Sequence, residues 1–557
     1  MLTTPGELLL VAVLAPFVGV LVGLVLGERH ARRVATTLLP VGLAVAIAIA
    51  MQFLQSDGPL VYLLGGWAPP LGIALRADAL AVAMMLAIAA VVCGIGAYAR
   101  ADFGGTGRAP FVYWLLLLAV WGSLNLVFLS GDLFTLYVAL ELLTFSGVPL
   151  VCLDGRGETM RAALRYLLFA LAGSVLYLLG AVLLYGGYGT LDIALLRGSI
   201  GPEPIAWTAA ALMTVGLLAK TALFPLHLWL PPAHAGAPAA ASAVLSALVI
   251  KGSWFLVVRL WFDVMPGVVT LPAAQLLAGM GAAAIVVGSV VALRQQRLKL
   301  LVAYSTVAQI GYLFLMFPLA FDAGGTTLVH GGALTAGVLQ AIAHATAKAG
   351  MFMAAGLVYA ALGHDRIADL GGVARAMPIT VLAFAVSGLA LMGVVPSGAY
   401  LAKKLLLDSA AASGQWWWVA VLQGGAVFTA GYVVLVLRNA LRRAAEPVRL
   451  VRPVSRLSEF AALALALASM LLAFAALGPV PGSLISNPLL PKELVPTLLV
   501  ILGGALLARW LPGRASINVG AGFERVDAFL RRWPSATIAL LACAVLFGGL
   551  MLAGHAR

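Results

Sequence analysis

The chain has 557 residues, of which 63% are hydrophobic and only 10% are charged. This composition excludes an ordinary soluble globular protein and is typical of a membrane protein with many spanning helices. A formal net charge of +13 would suggest nucleic-acid binding in a soluble protein. Here membrane topology explains it, so we expect no nucleic-acid partner.

Apolar runs recur along the whole chain, and each is long enough to cross ~30 Å of hydrocarbon. The first run lacks a basic segment before it, so we interpret it as a retained helix rather than a signal peptide. In chain order, the pattern predicts about sixteen transmembrane helices at residues 7–27, 34–53, 78–98, 112–129, 132–153, 160–187, 205–225, 237–262, 270–293, 298–318, 328–360, 373–410, 416–438, 457–478, 494–511 and 534–554.

Most of the 34 lysines and arginines lie in the loops that follow odd-numbered predicted helices. Cytoplasmic loops are enriched in these residues, so the pattern places those loops in the cytoplasm and both termini outside. The longest polar stretch, Arg438–Arg456, is then a cytoplasmic loop. A second basic loop contains the amphipathic piece Phe523–Arg532, which we expect at the headgroup level.

Two predicted helices are interrupted by proline, which removes a backbone donor and breaks a helix. Helix 7 contains AKTALFPLHLWLPPAHAGAP, and helix 12 contains MGVVPSGAYLAKK. Paired interruptions in two halves of a chain indicate an ion site built by inverted repeats. Five-helix units at helices 4–8 and 9–13 give four segments: 1–111, 112–262, 270–438 and 457–557.

Five lysines lie in stretches that are otherwise typical of membrane interior: Lys220, Lys251, Lys348, Lys403 and Lys404. A lysine near the bilayer midplane costs several kcal/mol unless a partner or water compensates it. Lysine can release its proton when buried, whereas arginine stays charged. Buried lysines with arginines at the helix ends therefore favour a protein that handles protons.

The fifth predicted helix contains Glu141, the one carboxylate in the middle of the first ten predicted helices. Lys220 is its expected partner, either as a structural ion pair or as a pair that opens and closes during proton transfer. Lys251 lies about fourteen residues into its helix, too deep to reach either membrane surface. Lys299, at the end of helix 10, is expected at the interface.

Several histidines lie near these lysines. His344 and Lys348 are four residues apart and share one face of a helix, and His330, fourteen residues earlier, returns close to that face. Such histidines could relay protons or could be satisfied core residues. His227 and His234 flank the first break, where they could relay protons or cap freed carbonyls.

Lys403 and Lys404 follow the second break. Adjacent residues point about 100° apart on a helix, so we expect only one of them to line a path. The sequence leaves open which one.

The sequence contains no Walker loop, GxGxxG motif or metal-ligand cluster, and its cysteines are isolated. We therefore expect no cofactor, no metal and no redox or hydrolytic centre in this chain, and whether it is an enzyme stays open. The cysteines are Cys93, Cys152 and Cys543.

At these residues the chain resembles the antiporter-like subunits shared by respiratory complex I, membrane-bound hydrogenases and Mrp-type multisubunit cation/proton antiporters. The resemblance runs from about helix 3 to helix 13. It rests on LFTLYVALELL, AKTALFPLHLWLPPAHAGAPAAASAVLSALVIKGSWFLVVR, RLKLLVAYSTVAQIGY, HATAKAGMF and GVVPSGAYLAKKLLL.

The resemblance implies a fourteen-helix core with two inverted five-helix repeats, and a charged axis in the membrane plane. The residues it assigns to proton and ion translocation are Glu141, Lys220, Lys251, His344, Lys348 and Lys403. Two features depart from the family pattern: Ala399–Tyr400 replaces a bulky aromatic pair, and two helices are added at the C-terminus. D-type Mrp subunits and the middle complex I subunit fit better than the subunit with a long lateral helix.

We therefore expect a proton-translocating subunit of a multisubunit complex in a bacterial-type cytoplasmic (inner) membrane. Mrp-type antiport of protons against Na⁺ or K⁺, with other membrane subunits as partners, is the first interpretation. A redox-driven pump module and the proton-driven membrane subunit of an inorganic-carbon uptake complex are the alternatives. A purely structural scaffold would not require five buried lysines.

Overall fold

A computed structural model describes residues 6–103, 105, 107–322, 324–444, 448–474, 491–510 and 517–555. Within these ranges, fourteen helices are long and apolar enough to cross a membrane. Two shorter apolar helices, Pro378–Met392 and Val495–Arg509, accompany them. Together they correspond to the sixteen predicted helices, so the prediction of a helical polytopic membrane protein is confirmed.

The membrane helices are numbered in chain order, and two pieces of one interrupted span share a number. They are α1 (Glu7–Leu26), α2 (Glu28–Leu54), α3 (Ala79–Asp102), α4 (Arg108–Leu129), α5 (Leu133–Val151), α6 (Gly157–Tyr188), α7 (Pro204–Thr221 and Leu230–Gly236), α8 (Ala239–Val264), α9 (Leu271–Leu293), α10 (Leu298–Tyr312 and Met316–Leu319), α11 (Gly332–Leu362), α12 (Pro378–Met392 and Gly398–Ala412), α13 (Trp416–Leu441), α14 (Arg456–Leu471), α15 (Pro491–Trp510) and α16 (Trp533–His555).

Both predicted breaks are present, one in α7 and one in α12. The first piece of α7 ends at Thr221, and Ala222 adopts a left-handed conformation with φ of 58°. The first piece of α12 ends at Met392. The hydroxyl of Ser397 accepts a hydrogen bond from the backbone N–H of Tyr400 and caps the second piece. Non-helical backbone at this depth is tolerated because surrounding helices cover it.

The middle of the molecule is formed by α8, α10 and α11. In α8, 100% of the residues in an apolar stretch of 18 are buried inside the protein, whereas in α2 only 22% of such a stretch is buried. Buried spans such as α8 are therefore the ones that can hold charged side chains away from lipid.

Close helix packing relies on glycine at two crossings. A Cβ on Gly173 of α6 would lie 2.5 Å from the carbonyl oxygen of Gly216 of α7. A Cβ on Gly281 of α9 would lie 2.6 Å from the carbonyl oxygen of Gly311 of α10. Small residues let membrane helices approach until their backbones touch, and this packing holds α7 against α6.

The structure adds an element that the sequence pattern did not predict. Between α2 and α3, strand β1 (Leu60–Leu63) pairs antiparallel with strand β2 (Ala74–Ala77), with Leu60 opposite Ala77. A two-stranded hairpin is marginal alone. Here a β-bridge between Leu75 and Ser130 ties it to the end of α4.

Some predicted boundaries shift. Helix α11 begins at Gly332 rather than at residue 328, so His330 lies before it. Helix α14 ends at Leu471, and residues 475–478 of the predicted span lie outside the described residues. Most of the predicted amphipathic piece, residues 523–530, belongs to a helix that begins earlier, Ile517–Leu530, which we call the surface helix.

Candidate functional site

The predicted contact between Glu141 and Lys220 is present. The ammonium Nζ of Lys220 lies 3.4 Å from the Oε1 of Glu141. It also donates hydrogen bonds to the hydroxyls of Thr144 at 2.8 Å and Ser174 at 2.5 Å. Helices α5, α6 and α7 thus converge on one lysine, which stands directly before the α7 break.

Glu141 lies near the surface of the molecule. Its side chain is 13% exposed, and its Oε2 has no hydrogen-bond partner among the described residues. Apolar side chains on the same side of α5 are exposed: Phe134, Val138, Leu142 and Phe145. The carboxylate therefore sits at the edge of an apolar face that could meet another membrane protein.

A hydroxyl contact links α7 to α8 between the first two lysines. Thr221, next to Lys220, donates a hydrogen bond to the hydroxyl of Ser253 at 2.8 Å. A void of about 10 Å³ borders Lys220, Thr144 and Ser253. This volume is at the lower limit for one water molecule, so the polar path between α7 and α8 is nearly closed.

Lys251 lies at the centre of the fully buried α8. Its Nζ hydrogen-bonds the Nδ1 of His344 on α11 and donates to the carbonyl oxygen of Ser246 at 3.2 Å. The helix widens to a π-helix over Leu245–Val249, directly before this lysine. Such π segments often mark functional sites in helices. The Nε2 of His344 is buried without a hydrogen-bond partner among the described residues.

Lys348 lies one helical turn beyond His344, as predicted, but the two side chains reach different helices. The Nζ of Lys348 donates to the hydroxyl of Ser305 at 2.5 Å and to the carbonyl oxygen of Val302 at 3.2 Å, both on α10. Helix α11 therefore contacts both neighbours through polar groups: His344 bonds the lysine of α8, and Lys348 bonds a hydroxyl and a carbonyl of α10.

Lys403 and Lys404 lie in the second piece of α12. The Nζ of Lys403 donates to the Oε1 of Gln423 on α13 at 2.8 Å. Both lysines border a cavity of about 140 Å³, which Thr497 of α15 also lines. The expectation that only one of the two lysines lines a proton path stays a prediction, since bordering one cavity does not show which of them carries protons.

The histidines at the first break have distinct surroundings. His234 is fully buried, stacks on Phe352 with ring centroids 4.8 Å apart, and has no hydrogen-bond partner at either ring nitrogen among the described residues. His227 does not bond a freed carbonyl through its Nε2. That nitrogen lies 2.8 Å from the Oδ1 of Asp527 on the surface helix.

His330 departs from its expected position. It is exposed in the segment before α11, and its ring faces Phe262 with centroids 5.5 Å apart. It therefore does not stack on the helix face that carries His344 and Lys348. The error came from starting α11 four residues too early.

Lys299 lies at the start of α10, at the helix end where the sequence placed it, but its surroundings differ from those of an ordinary interfacial residue. It is buried, and its ammonium donates to the backbone carbonyl of Ala237, between the second piece of α7 and α8. An open polar cavity of about 630 Å³ borders it. Arg156 and Arg297 line the same cavity. Sequence patterning missed the burial of this lysine, because its position near a helix end is also typical of an ordinary interfacial residue.

Taken together, the fold and the row of buried cations, histidines and hydroxyls define a polytopic membrane protein of the ion-translocating type. The chain belongs to the NADH:quinone oxidoreductase/Mrp antiporter transmembrane family, whose profile matches residues 130–429. The matched range includes Glu141 and Lys403, the two ends of the row.

Relatives come from two kinds of complex. The N-type subunit of NADH-quinone oxidoreductase from Desulforudis audaxviator is 36% identical over 71% of this chain and 78% of its own. The D-type subunit of a Na(+)/H(+) antiporter from Bacillus subtilis is 29% identical over 64% of this chain and 70% of its own.

Solved structures show the same fold. A chain of the membrane-bound sulfane sulfur reductase, an archaeal respiratory membrane complex, superposes with a TM-score of 0.74 and 25% identity over 90% of this chain and 99% of its own. A chain of the Mrp complex from Dietzia sp. DQ12-45-1b also has a TM-score of 0.74, with 23% identity over 94% of this chain and 100% of its own.

Proposed function

We propose that this chain is a proton-translocating subunit of a multisubunit membrane complex. Protons pass along the row that begins at Glu141 and Lys220, continues through Lys251, His344 and Lys348, and ends at Lys403. The observation that carries the proposal is the contact between Lys251 and His344, because two titratable groups share a hydrogen bond in a fully buried helix. A merely structural role would favour apolar side chains there.

The contact supports proton transfer on chemical grounds. A lysine amine and an imidazole nitrogen can exchange one proton across a hydrogen bond. Two positive charges this close would repel each other strongly in a medium of low polarity. The pair therefore favours a single shared charge, which a neighbouring residue can accept or supply.

We infer that the chain works in antiport of protons against a monovalent cation, Na⁺ or K⁺. The relative in Bacillus subtilis is named as a Na(+)/H(+) antiporter subunit, and this chain resembles it over 64% of its length. A redox-driven role is the second candidate, and the 36% identity to a subunit of NADH-quinone oxidoreductase favours it. In either case, other membrane subunits are the partners.

The orientation and division of the chain are also part of the proposal. Both termini lie outside and the loops after odd-numbered helices lie in the cytoplasm, because those loops hold most of the arginines. Segments 112–262 and 270–438 are the two inverted repeats. Segments 1–111 and 457–557 flank them.

The test uses everted vesicles that contain the complete complex and a dye that reports internal acidification. With Lys251→Ala, the pH change that follows addition of Na⁺ or K⁺ should disappear, whereas Arg197→Ala, at an exposed position, should leave it unchanged. Normal transport by the Lys251→Ala complex contradicts the proposal. A pH change that appears only with an electron donor favours the redox-driven candidate over antiport.

A further inference from the structure

The surface helix Ile517–Leu530 carries carboxylates on the side that faces the membrane helices. The Oε1 of Glu524 lies 3.0 Å from the Nε of Arg294, at the end of α9. Asp527, three residues later, has a side chain that is only 3% exposed. The side chains of Val526 and Phe529, by contrast, are about half exposed. The helix thus has an apolar outer side and an acidic inner side.

Asp527 is bound by groups from three elements. Its Oδ1 lies 2.8 Å from the Nε2 of His227 at the α7 break. Its Oδ2 accepts a hydrogen bond of 2.8 Å from the hydroxyl of Tyr304 on α10, and one of 2.8 Å from the Nε of Arg531. A helix that only covered lipid-facing surface would not need a buried carboxylate with three donors.

The carboxyl is held in its charged form. Burial opposes ionisation, but the hydrogen bond from His227 and the charge of Arg531 outweigh it and keep the pKa of Asp527 below its usual range. An ionised Asp527 can only accept hydrogen bonds, so the Nε2 of His227 must carry the proton. When the imidazole of His227 is neutral, its Nδ1 is then the nitrogen that accepts a hydrogen bond or a proton.

The Nδ1 of His227 is buried and has no hydrogen-bond partner among the described residues. An imidazole whose one nitrogen donates to a carboxylate can accept a proton at the other, because the carboxylate stabilises the imidazolium that forms. The other charged and titratable groups around the pair are Tyr304, Arg531 and Glu524.

We propose that Asp527 is a positioning residue of the transport machinery. It fixes the tautomer of His227, so that His227 takes up and releases a proton at Nδ1 beside the α7 break. The surface helix then supports proton transfer through Asp527, in addition to packing over the membrane helices. This inference rests on the proposed function, since it requires that protons move through the chain.

The experiment measures transport by the complete complex in vesicles, together with the amount of assembled complex. Asp527→Asn keeps the shape of the side chain and removes its charge, and transport should fall about tenfold, or ~1.4 kcal/mol in the barrier. Asp527→Glu keeps the negative charge and should retain part of the transport that Asp527→Asn loses. Arg525→Gln, at an exposed position on the same helix, is the matched control and should transport normally.

A double variant tests whether the two residues act as a unit. His227→Gln alone should lose as much transport as Asp527→Asn, and the double variant should lose no more than either single variant. Losses that multiply would overturn the inference, as would normal transport by Asp527→Asn. If Asp527→Asn does not assemble, normal transport by His227→Gln overturns it.

Lys251→Ala, measured in parallel, separates the two proposals. If Lys251→Ala transports normally, the proposed function itself is wrong. If Lys251→Ala is inactive while Asp527→Asn is fully active, only the role of Asp527 is wrong.

Discussion

At the scale of single residues, each lysine of the row has its own set of partners. Lys220 has a carboxylate and two hydroxyls, Lys251 has a histidine, and Lys348 has a hydroxyl and a carbonyl. Among the residues that the structure describes, only Lys220 of these three has an oppositely charged partner. The other buried lysines are held by neutral oxygen and nitrogen acceptors, which satisfy the ammonium without fixing its charge.

Replacing Glu141 tests the ion pair at the start of the row. Glu141→Ala leaves Lys220 bonded to Thr144 and Ser174 but without a counter-charge. We expect transport in everted vesicles to fall by at least about tenfold, or ~1.4 kcal/mol in the barrier, while the complex still assembles. Glu28→Gln, at an exposed position, is the control. Normal transport by Glu141→Ala would show that the pair is not a proton switch.

Replacing the two lysines of α12 separately tests which of them carries protons. Lys403 is bonded to Gln423, and both lysines reach one cavity. We expect Lys403→Ala to abolish coupled transport and Lys404→Ala to change it by less than about threefold, or ~0.7 kcal/mol. Initial rates of cation-driven pH change measure both effects. Equal losses would mean that the two lysines share the role.

Most residues of the row from Glu141 to Lys403 could be predicted from the sequence, because a lysine or glutamate in an apolar run is conspicuous. It did not predict Asp527 or the burial of Lys299. Both lie where a positive-inside loop is expected, and their burial depends on how distant segments fold onto the α7 break. Such long-range contacts leave no periodic signal in the chain.

At the scale of elements, prolines and glycines decide how the helices meet. The prolines predicted both breaks. In the structure, the α7 break lies next to Lys220 and the α12 break lies before Lys403. The hairpin of β1 and β2 was missed because its strands are only four residues long and lie among turn residues. The start of α11 was misjudged because an apolar pattern marks helix ends poorly.

A substitution on α6 tests the glycine crossing that holds α7. Gly173→Ala would place a Cβ 2.5 Å from the carbonyl oxygen of Gly216, a backbone atom that cannot move alone. We expect the two helices to separate, at a cost of about 1–3 kcal/mol. The melting temperature in detergent should fall.

Gly186→Ala is the matched control for this test. Gly186 lies on the same helix, and a Cβ there would have no heavy atom within 4 Å. Its melting temperature should stay the same or rise slightly, since alanine favours helices over glycine by roughly 0.5–1 kcal/mol. Equal destabilisation by both alanines would mean that Gly173 is not needed for the close packing of α6 against α7.

At the scale of the whole molecule, the proposed orientation in the membrane rests on the charges of the loops. Asp57, between α2 and α3, and Glu158, at the start of α6, are both exposed. The proposed orientation places them on opposite faces of the membrane. In cells that express a cysteine-free chain, Asp57→Cys should react with a membrane-impermeant maleimide and Glu158→Cys should not. The reverse pattern would contradict the orientation with both termini outside.

The two ends of the row differ, and this difference predicts what the chain can do alone. At one end, Glu141 lies at an exposed apolar face and its Oε2 is unpartnered among the described residues. At the other end, α15 lines the cavity beside Lys403. A path that ends at a lipid-facing surface cannot pass a proton to water, because a charge in hydrocarbon is costly.

We therefore expect the isolated chain in proteoliposomes to give at least about tenfold less cation-driven pH change than the complete complex, or ~1.4 kcal/mol in the apparent barrier. A neighbouring subunit would cover the face around Phe134 and Phe145 and offer Glu141 a polar partner. The complex carrying Phe145→Trp tests that contact, since added bulk on an interface should weaken assembly, whereas the same change on a lipid-facing surface should not. Robust antiport by the purified single chain would refute the need for a partner, and the row of lysines would then have to connect to both sides of the membrane within this one chain.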